Sequence, residues 1–389
     1  MNYTFLAPQQ ILFGWGRRSE VGRVAAAWGH RAWLLSGSRT LERAGLVEQI
    51  AEHLFAAGLT VERAKAPGRE PEVADVDRLA DEWTQRGMGD GDVIVAVGGG
   101  STIDLAKAVA AMVTNPQGPS VIDFLEGVGR GLQILVSPIP LIAVPTTAGT
   151  GTEATKNAVI SSYKPPFKKS LRSDRMVPIA VVVDPELTVS VPADVTAHTG
   201  MDAITQLIES YISRKAAPIP QALCLEGLRL AAPAIVKACR DGTNRWARES
   251  MAHAALLSGM ALANSGLGLA HGVAAALGVH CLQPHGLACA VMLPAALRFN
   301  LSACREQYAG LANLLWPQSY TSREAAAEAF VERISELCQS VGIPQRLREL
   351  GVLREQIPLL VPASHGNSLS GNPRDISDDE LRDLLEALW

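Results

Sequence analysis

The sequence predicts an α/β fold in two parts. Residues 1–187 form a doubly wound, parallel-sheet nucleotide-binding domain, and residues 188–389 form an all-α, metal-binding domain. Three observations carry this. Short β-branched runs alternate with helical patterns through the first half, as in a parallel sheet covered on both faces. Long Ala/Leu-rich segments without a β pattern fill the second half. The change falls at "DPELTVSVPADVTAH", where two prolines coincide with the loss of alternation. A chain of 389 residues is also more than one core usually serves.

In chain order, "RAWLLSG" (31–37) reads as a buried strand and leads into the helical "ERAGLVEQIAEHLFAAG" (42–58). "DVIVAVGGG" (92–100) is a second strand that runs into the helical "STIDLAKAVAAMV". "PLIAVPTT" (140–147) and "PIAVVVDPEL" (178–187) supply further strands. Beyond the boundary, "QALCLEGLRLAAPAIVKACR" and "REAAAEAFVERISELCQSVG" are helical, and no strand is convincing.

Composition narrows the function classes. The chain is 48% apolar and 19% charged, as in ordinary globular proteins. Its 35 basic and 39 acidic residues leave a formal charge of −4, so no electrostatic case exists for a nucleic-acid or membrane partner. The start lacks the basic and apolar regions of a secretion signal, and the apolar runs are too short to span a bilayer. Six cysteines without a C-x-x-C pair read as reduced thiols, which favours the cytoplasm.

"VIVAVGGGSTIDLAKAVA" passes from strand through Gly98, Gly99 and Gly100 into a helix beginning near Ser101. Glycines permit positive φ and let a ligand approach the main chain, and the helix start offers free N–H groups to a pyrophosphate. The pattern is not G-x-G-x-x-G. The competing reading is a plain turn with Ser101 as N-cap and Asp104 completing an S-x-x-D capping box. A second turn, "IAVPTTAGTGTEAT", presents Thr146, Thr147, Thr150 and Thr152 after another strand. The carboxyl ends of parallel strands are where open α/β sheets bind ligands, so two such turns favour a nucleotide.

The metal signal lies in the second half. "GMDAITQLIES" (200–210) sets Asp202 and Gln206 one turn apart on a largely apolar helix. His271 opens one Ala-rich helical stretch, and His285 follows Pro284 at the start of another. A histidine among apolar residues is often just a hydrogen-bonded core group. Two imidazoles with the Asp202 carboxylate would nevertheless make a mixed N/O set suited to Fe(II) or Zn(II), with positions open for substrate.

Over nearly its full length the chain resembles the iron-dependent (group III) alcohol dehydrogenase family, with its dehydroquinate synthase-like fold. The resemblance rests on "ILFGWG", "VGGGSTIDLAKAVA", "PTTAGTGTEAT", "VVVDPELT", "TGMDAITQLIESYIS", "GLAHGVAAALG", "PHGLACAVMLP" and "GNPRDIS". It implies an α/β nucleotide-binding domain, a helical domain and an active cleft between them. It also implies that Gly98, Gly99, Gly100 and Ser101 hold the cofactor pyrophosphate, that Asp104 sits near the nicotinamide, and that Thr146, Thr147 and Thr152 line the nucleotide site. Lys168 would face the nicotinamide ribose, and Leu187 would pack near the adenosine. Asp202, His271 and His285 match three of the family's metal ligands.

Three departures matter. Gln206 stands where well-known members have a fourth ligand, a histidine. Its oxygen is a weaker, harder donor, so it either coordinates, yields to water, or hydrogen-bonds a ligand from behind. Ala275 stands where many members have a further histidine; His280 either replaces that residue or caps a helix end. Gly37 stands where NAD-preferring members often have an aspartate. With Ser38 and Arg39 beside it, the site would accept a 2′-phosphate, which favours NADP(H) over NAD(H).

The resemblance implies an NAD(P)-linked alcohol dehydrogenase or aldehyde reductase. Its cation would be Fe(II), with Zn(II) as the alternative, its substrate a small alcohol or aldehyde, and its assembly a homodimer. The competing activities are a reductase of an acidic substrate (maleylacetate or phosphonoacetaldehyde), a dehydroquinate synthase-like lyase, and a non-catalytic nucleotide binder.

Overall fold

The computed structural model describes residues 2–389, in two compact units. One takes Leu6–Thr147 and Gly151–Ser190; the other takes Val191–Trp389, with Ala148–Thr150 and the stretch before Leu6.

The first unit is built on β1 (Gln10–Phe13), β2 (Arg31–Ser36), β3 (Thr60–Lys65), β4 (Asp92–Gly98), β5 (Leu141–Pro145) and, later in the chain, Ala180–Val183. A hairpin of β6 (Asn157–Tyr163) and β7 (Pro166–Arg172) stands apart as a two-stranded antiparallel sheet, which makes Ala180–Val183 β8. The six remaining strands are all parallel, in the order β1-β8-β5-β4-β2-β3. Both faces of β4 are buried, so it reads as a continuous apolar run rather than an alternating one. One face packs Trp33, Ile94 and Ala96 against α4 (Val73–Gln85) and α5 (Gly100–Thr114). The other packs Leu34, Val95 and Val144 against α1 (Val21–Ala26) and α3 (Leu46–Ala56), with α2 (Arg39–Arg43) between β2 and α3.

The helix expected over 42–58 is two helices. Gly45 adopts φ 74°, a left-handed conformation that stops α2 and starts α3. β1, β3 and the hairpin were not foreseen. The positive φ expected at the glycine turn is also absent: Gly99 sits at φ −75° and neither Gly98 nor Gly100 is left-handed. Close packing explains the glycines instead. A Cβ at Gly98 would lie 2.5 Å from Thr102 Oγ1, and one at Gly37 only 1.8 Å from the same atom.

The second unit is entirely helical. Its helices are α6 (Ala193–Ile212), α7 (Pro218–Arg240), α8 (Arg245–Ser265), α9 (Leu269–His280), α10 (His285–Asn300), α11 (Arg305–Leu315), α12 (Arg323–Ser340), α13 (Ile357–Ala363) and α14 (Asp378–Leu388). Met201, Ile204 and Ile208 of α6 join Leu228, Val273, Leu293 and Phe330 in one core. Among the described residues no single helix is long and apolar enough to cross a membrane.

Replacing Gly37 with Ala forces a methyl into Thr102, an overpacking that costs about 1–3 kcal/mol. Thermal unfolding of Gly37→Ala should show a lowered Tm, largely restored in the Gly37→Ala/Thr102→Ala double variant. An unchanged Tm in the single variant would contradict this packing.

Candidate metal and cofactor site

Three helices of the second unit build the metal-type cluster. Asp202 lies mid-way along α6, His271 in the first turn of α9, and His285 at the first position of α10. One ligand atom from each of these residues and from Cys289 lies within 4.8 Å of all the others. Asp202 Oδ1 is 3.2 Å from His271 Nε2, and Cys289 Sγ is 3.7 Å from His285 Nε2. The two imidazole rings meet edge-on with centroids 5.6 Å apart. Asp202, His271 and Cys289 are buried, and His285 is half-buried.

The approach of α10 to α6 depends on Gly286. A Cβ there would fall 2.6 Å from the His198 carbonyl oxygen of α6, so any larger residue would push His285 away from Asp202. The start of α9 is fixed by Glu209, two turns beyond Asp202 along α6. Its carboxylate accepts from the Gly268 and Ala270 amides at 2.9 and 2.7 Å, and lies 2.6 Å from His271 Nδ1. With Nδ1 donating to Glu209, Nε2 is the nitrogen that faces Asp202, donating to it while the ring is protonated and offering a lone pair only once that proton leaves. Asn372 of "GNPRDIS" supports the same turn, accepting from Leu269 N at 3.2 Å and from Asn300 Nδ2 at 2.9 Å.

Electrostatics fit a cation. Burial pushes Asp202 up, but the His271 hydrogen bond and the nearby His285 and His271 hold it below the usual carboxylate range. Burial opposes a charged His271, yet Cys289, Glu209 and the Asp202 hydrogen bond raise it well above its ordinary value. Burial drives the Cys289 thiol up to about 12, with His271 opposing. Two imidazoles, a carboxylate and a thiol that converge within 4.8 Å are donors that suit a divalent metal. Gln206 is 3% exposed, and its Oε1 accepts from the Ser258 hydroxyl at 2.7 Å. His280 ends α9, where its carbonyl accepts from Gln356.

In the first unit, parallel register lines up three turns along one edge of the sheet. Ser36 pairs with Val97, and Gly98 with Pro145, so the turns after β2, β4 and β5 are neighbours. Between β2 and β4 the strand order reverses, the switch point where such sheets take ligands. Gly37 N donates to Val97 O, and Thr146 N to Gly98 O, both at 3.0 Å. The N-cap of α5 is Gly99, with no side-chain cap, so the capping box of Ser101 and Asp104 does not form. Asp104 instead accepts from the Thr152 hydroxyl and the Val159 amide, because Lys107 draws both side chains inward. The buried Lys107 ammonium donates to Thr152 Oγ1 at 2.6 Å and Thr155 Oγ1 at 2.8 Å. A Cβ at Gly99 would lie 3.3 Å from Thr147 Oγ1. Ser38 caps α2 by accepting from Leu41 N. Lys168 pairs with Glu70 at 2.6 Å, and Leu187 is a core residue at 1% exposure.

Known proteins match the chain along nearly its whole length. Residues 8–185 match the family model described as iron-containing alcohol dehydrogenase, and residues 196–389 match the Fe-containing alcohol dehydrogenase family, C-terminal. The chain belongs to the iron-containing alcohol dehydrogenase family. Membership makes it an oxidoreductase that acts on CH–OH groups. It is 35% identical to a 1,3-propanediol dehydrogenase of Citrobacter freundii, covering 100% of this chain and 99% of that protein. An NAD-dependent methanol dehydrogenase of Bacillus methanolicus is 34% identical, over 98% of each chain. A crystal structure of 1,3-propanediol oxidoreductase superposes with TM-score 0.92 at 33% identity, over 100% of both chains.

Two residues of this iron-containing alcohol dehydrogenase escaped sequence reasoning. Glu209 lies seven places after Asp202, and Cys289 four after His285, so helical spacing puts each on its partner's face. Removing the acceptor charge with Glu209→Gln should weaken divalent-metal binding about 10–100-fold while the far-UV spectrum is kept. Titration with a metal-competing dye measures this, and an unchanged affinity would contradict the positioning of His271 by Glu209.

Proposed function

We propose that this chain exchanges hydride between NADP(H) and a small alcohol or aldehyde, using one divalent cation held by Asp202, His271 and His285. The observation that carries the reading is the convergence of those three side chains on one point, with His271 oriented by Glu209. A cation bound there supplies Lewis-acid polarisation of the carbonyl. The protein's own residues do the rest. Asp202 brings a negative charge, His271 presents its Nε2 lone pair, and the apolar packing of α6, α9 and α10 limits competing water.

Gly98, Gly99, Gly100 and Ser101 are assigned to the pyrophosphate, which suits the uncapped amides at the start of α5. Thr146 and Thr147 flank that turn. Gly37 and Ser38 are assigned to the adenosine ribose. Position 37 has no carboxylate to repel a 2′-phosphate, and the exposed Arg39 beside it supplies a guanidinium to pair with one. The assembly is proposed as a homodimer, checked by light scattering. A cytoplasmic setting is supported by six free cysteines.

Metal-loaded protein should oxidise NADPH, and NADH less efficiently, with members of a panel of aldehydes and oxo-acids, and should lose that activity on chelation. Activity that survives removal of the metal, or none with any carbonyl, would overturn the reading. Arg39→Ala should lower kcat/KM for NADPH about tenfold and leave that for NADH within about twofold. Equal effects on the two cofactors would remove Arg39 from the phosphate site.

A further inference from the structure

We propose that Cys289 supplies a thiolate as the fourth protein ligand, that Gln206 is a bystander, and that the site is built for zinc rather than iron. This rests on Asp202, His271 and His285 holding the cation. Tetrahedral zinc bonds of about 2.0–2.3 Å put neighbouring ligand atoms roughly 3.3–3.8 Å apart. The Asp202–His271 and Cys289–His285 separations are 3.2 and 3.7 Å, and every pair in the four-atom set is within 4.8 Å. Small side-chain adjustments therefore suffice to close the set around one ion. Cys289 is fully buried, unpaired in any disulfide, and one turn after His285 on the same face of α10.

The Gln206 oxygen already has a partner. It accepts from Ser258, and the opposite end of the amide is an NH2 group with no lone pair to give. Donor softness agrees. Thiolate selects zinc over iron among ligand sets of this kind, and zinc accepts a fifth ligand, so four protein donors do not close the site to substrate. Loading exchanges the thiol proton for the metal and releases that proton to solvent.

Cobalt(II) substitution reads the ligand directly. Wild-type protein should show an intense thiolate-to-cobalt charge-transfer band in the near ultraviolet. Cys289→Ser should lose it while retaining cobalt and the weaker visible d–d bands, and Gln206→Leu should keep it. X-ray absorption of the zinc-loaded wild type, which needs no variant, should find one sulfur at about 2.3 Å. Bound metal with only nitrogen and oxygen neighbours would overturn the thiolate assignment and leave the Asp–His–His reading standing. Failure to bind any divalent metal would overturn both. Turning the Gln206 amide over would leave Ser258 to donate to the Ala255 carbonyl, 2.7 Å away, and would free the glutamine oxygen. Loss of metal in Gln206→Leu would establish that arrangement and refute the bystander role.

Discussion

The Glu209 carboxylate is the tie on which the helical unit's chemistry depends. It is 3% exposed, and its charge is met by two amides of the α9 start and by His271. A buried carboxylate without such partners costs several kcal/mol, so side chain and helix start hold each other in place. The helix start offers partial positive charge, which by itself disfavours a cation nearby. Glu209 and Asp202 together reverse that bias, one by capping the helix and the other by lying against His271 and His285. Gly286 completes the constraint, because α10 reaches α6 only where no Cβ intervenes.

The α/β unit obeys a similar economy of space. Parallel register sets the turns after β2, β4 and β5 side by side, and Thr102 is wedged beneath two of them. Lys107 serves the neighbouring loop from below. Its ammonium binds Thr152, Thr155 and Asp104, so these polar side chains brace the turn that begins at Thr146. Polar residues in a glycine-rich loop therefore divide into two kinds: those left to face a ligand and those spent on the loop itself.

Much of this was legible in the sequence, for identifiable reasons. Strands buried on both faces leave unbroken apolar runs, so β2, β4, β5 and β8 were visible, whereas β1 is short and β3 is an edge strand with mixed exposure. The β6–β7 hairpin buries only part of one face and carries lysines, so it lacks a clean alternation. Asp202, His271 and His285 stood out because charge and imidazole are rare among alanines and leucines. Glu209 and Cys289 did not, because an acid near a helix end and a thiol in a core are unremarkable until tertiary packing shows what they meet. The Ser101 capping box failed for a local reason: α5 begins two residues earlier than the motif suggests, with Gly99 as its cap.

The central claim is that α6, α9 and α10 present one coordination point. Anomalous diffraction from crystals of metal-loaded protein, recorded on either side of the metal's absorption edge, tests it most directly. The account predicts a single strong peak about 2.0–2.2 Å from an Asp202 oxygen, His271 Nε2 and a His285 nitrogen. A fully loaded crystal whose only peak lies elsewhere in the chain would contradict it.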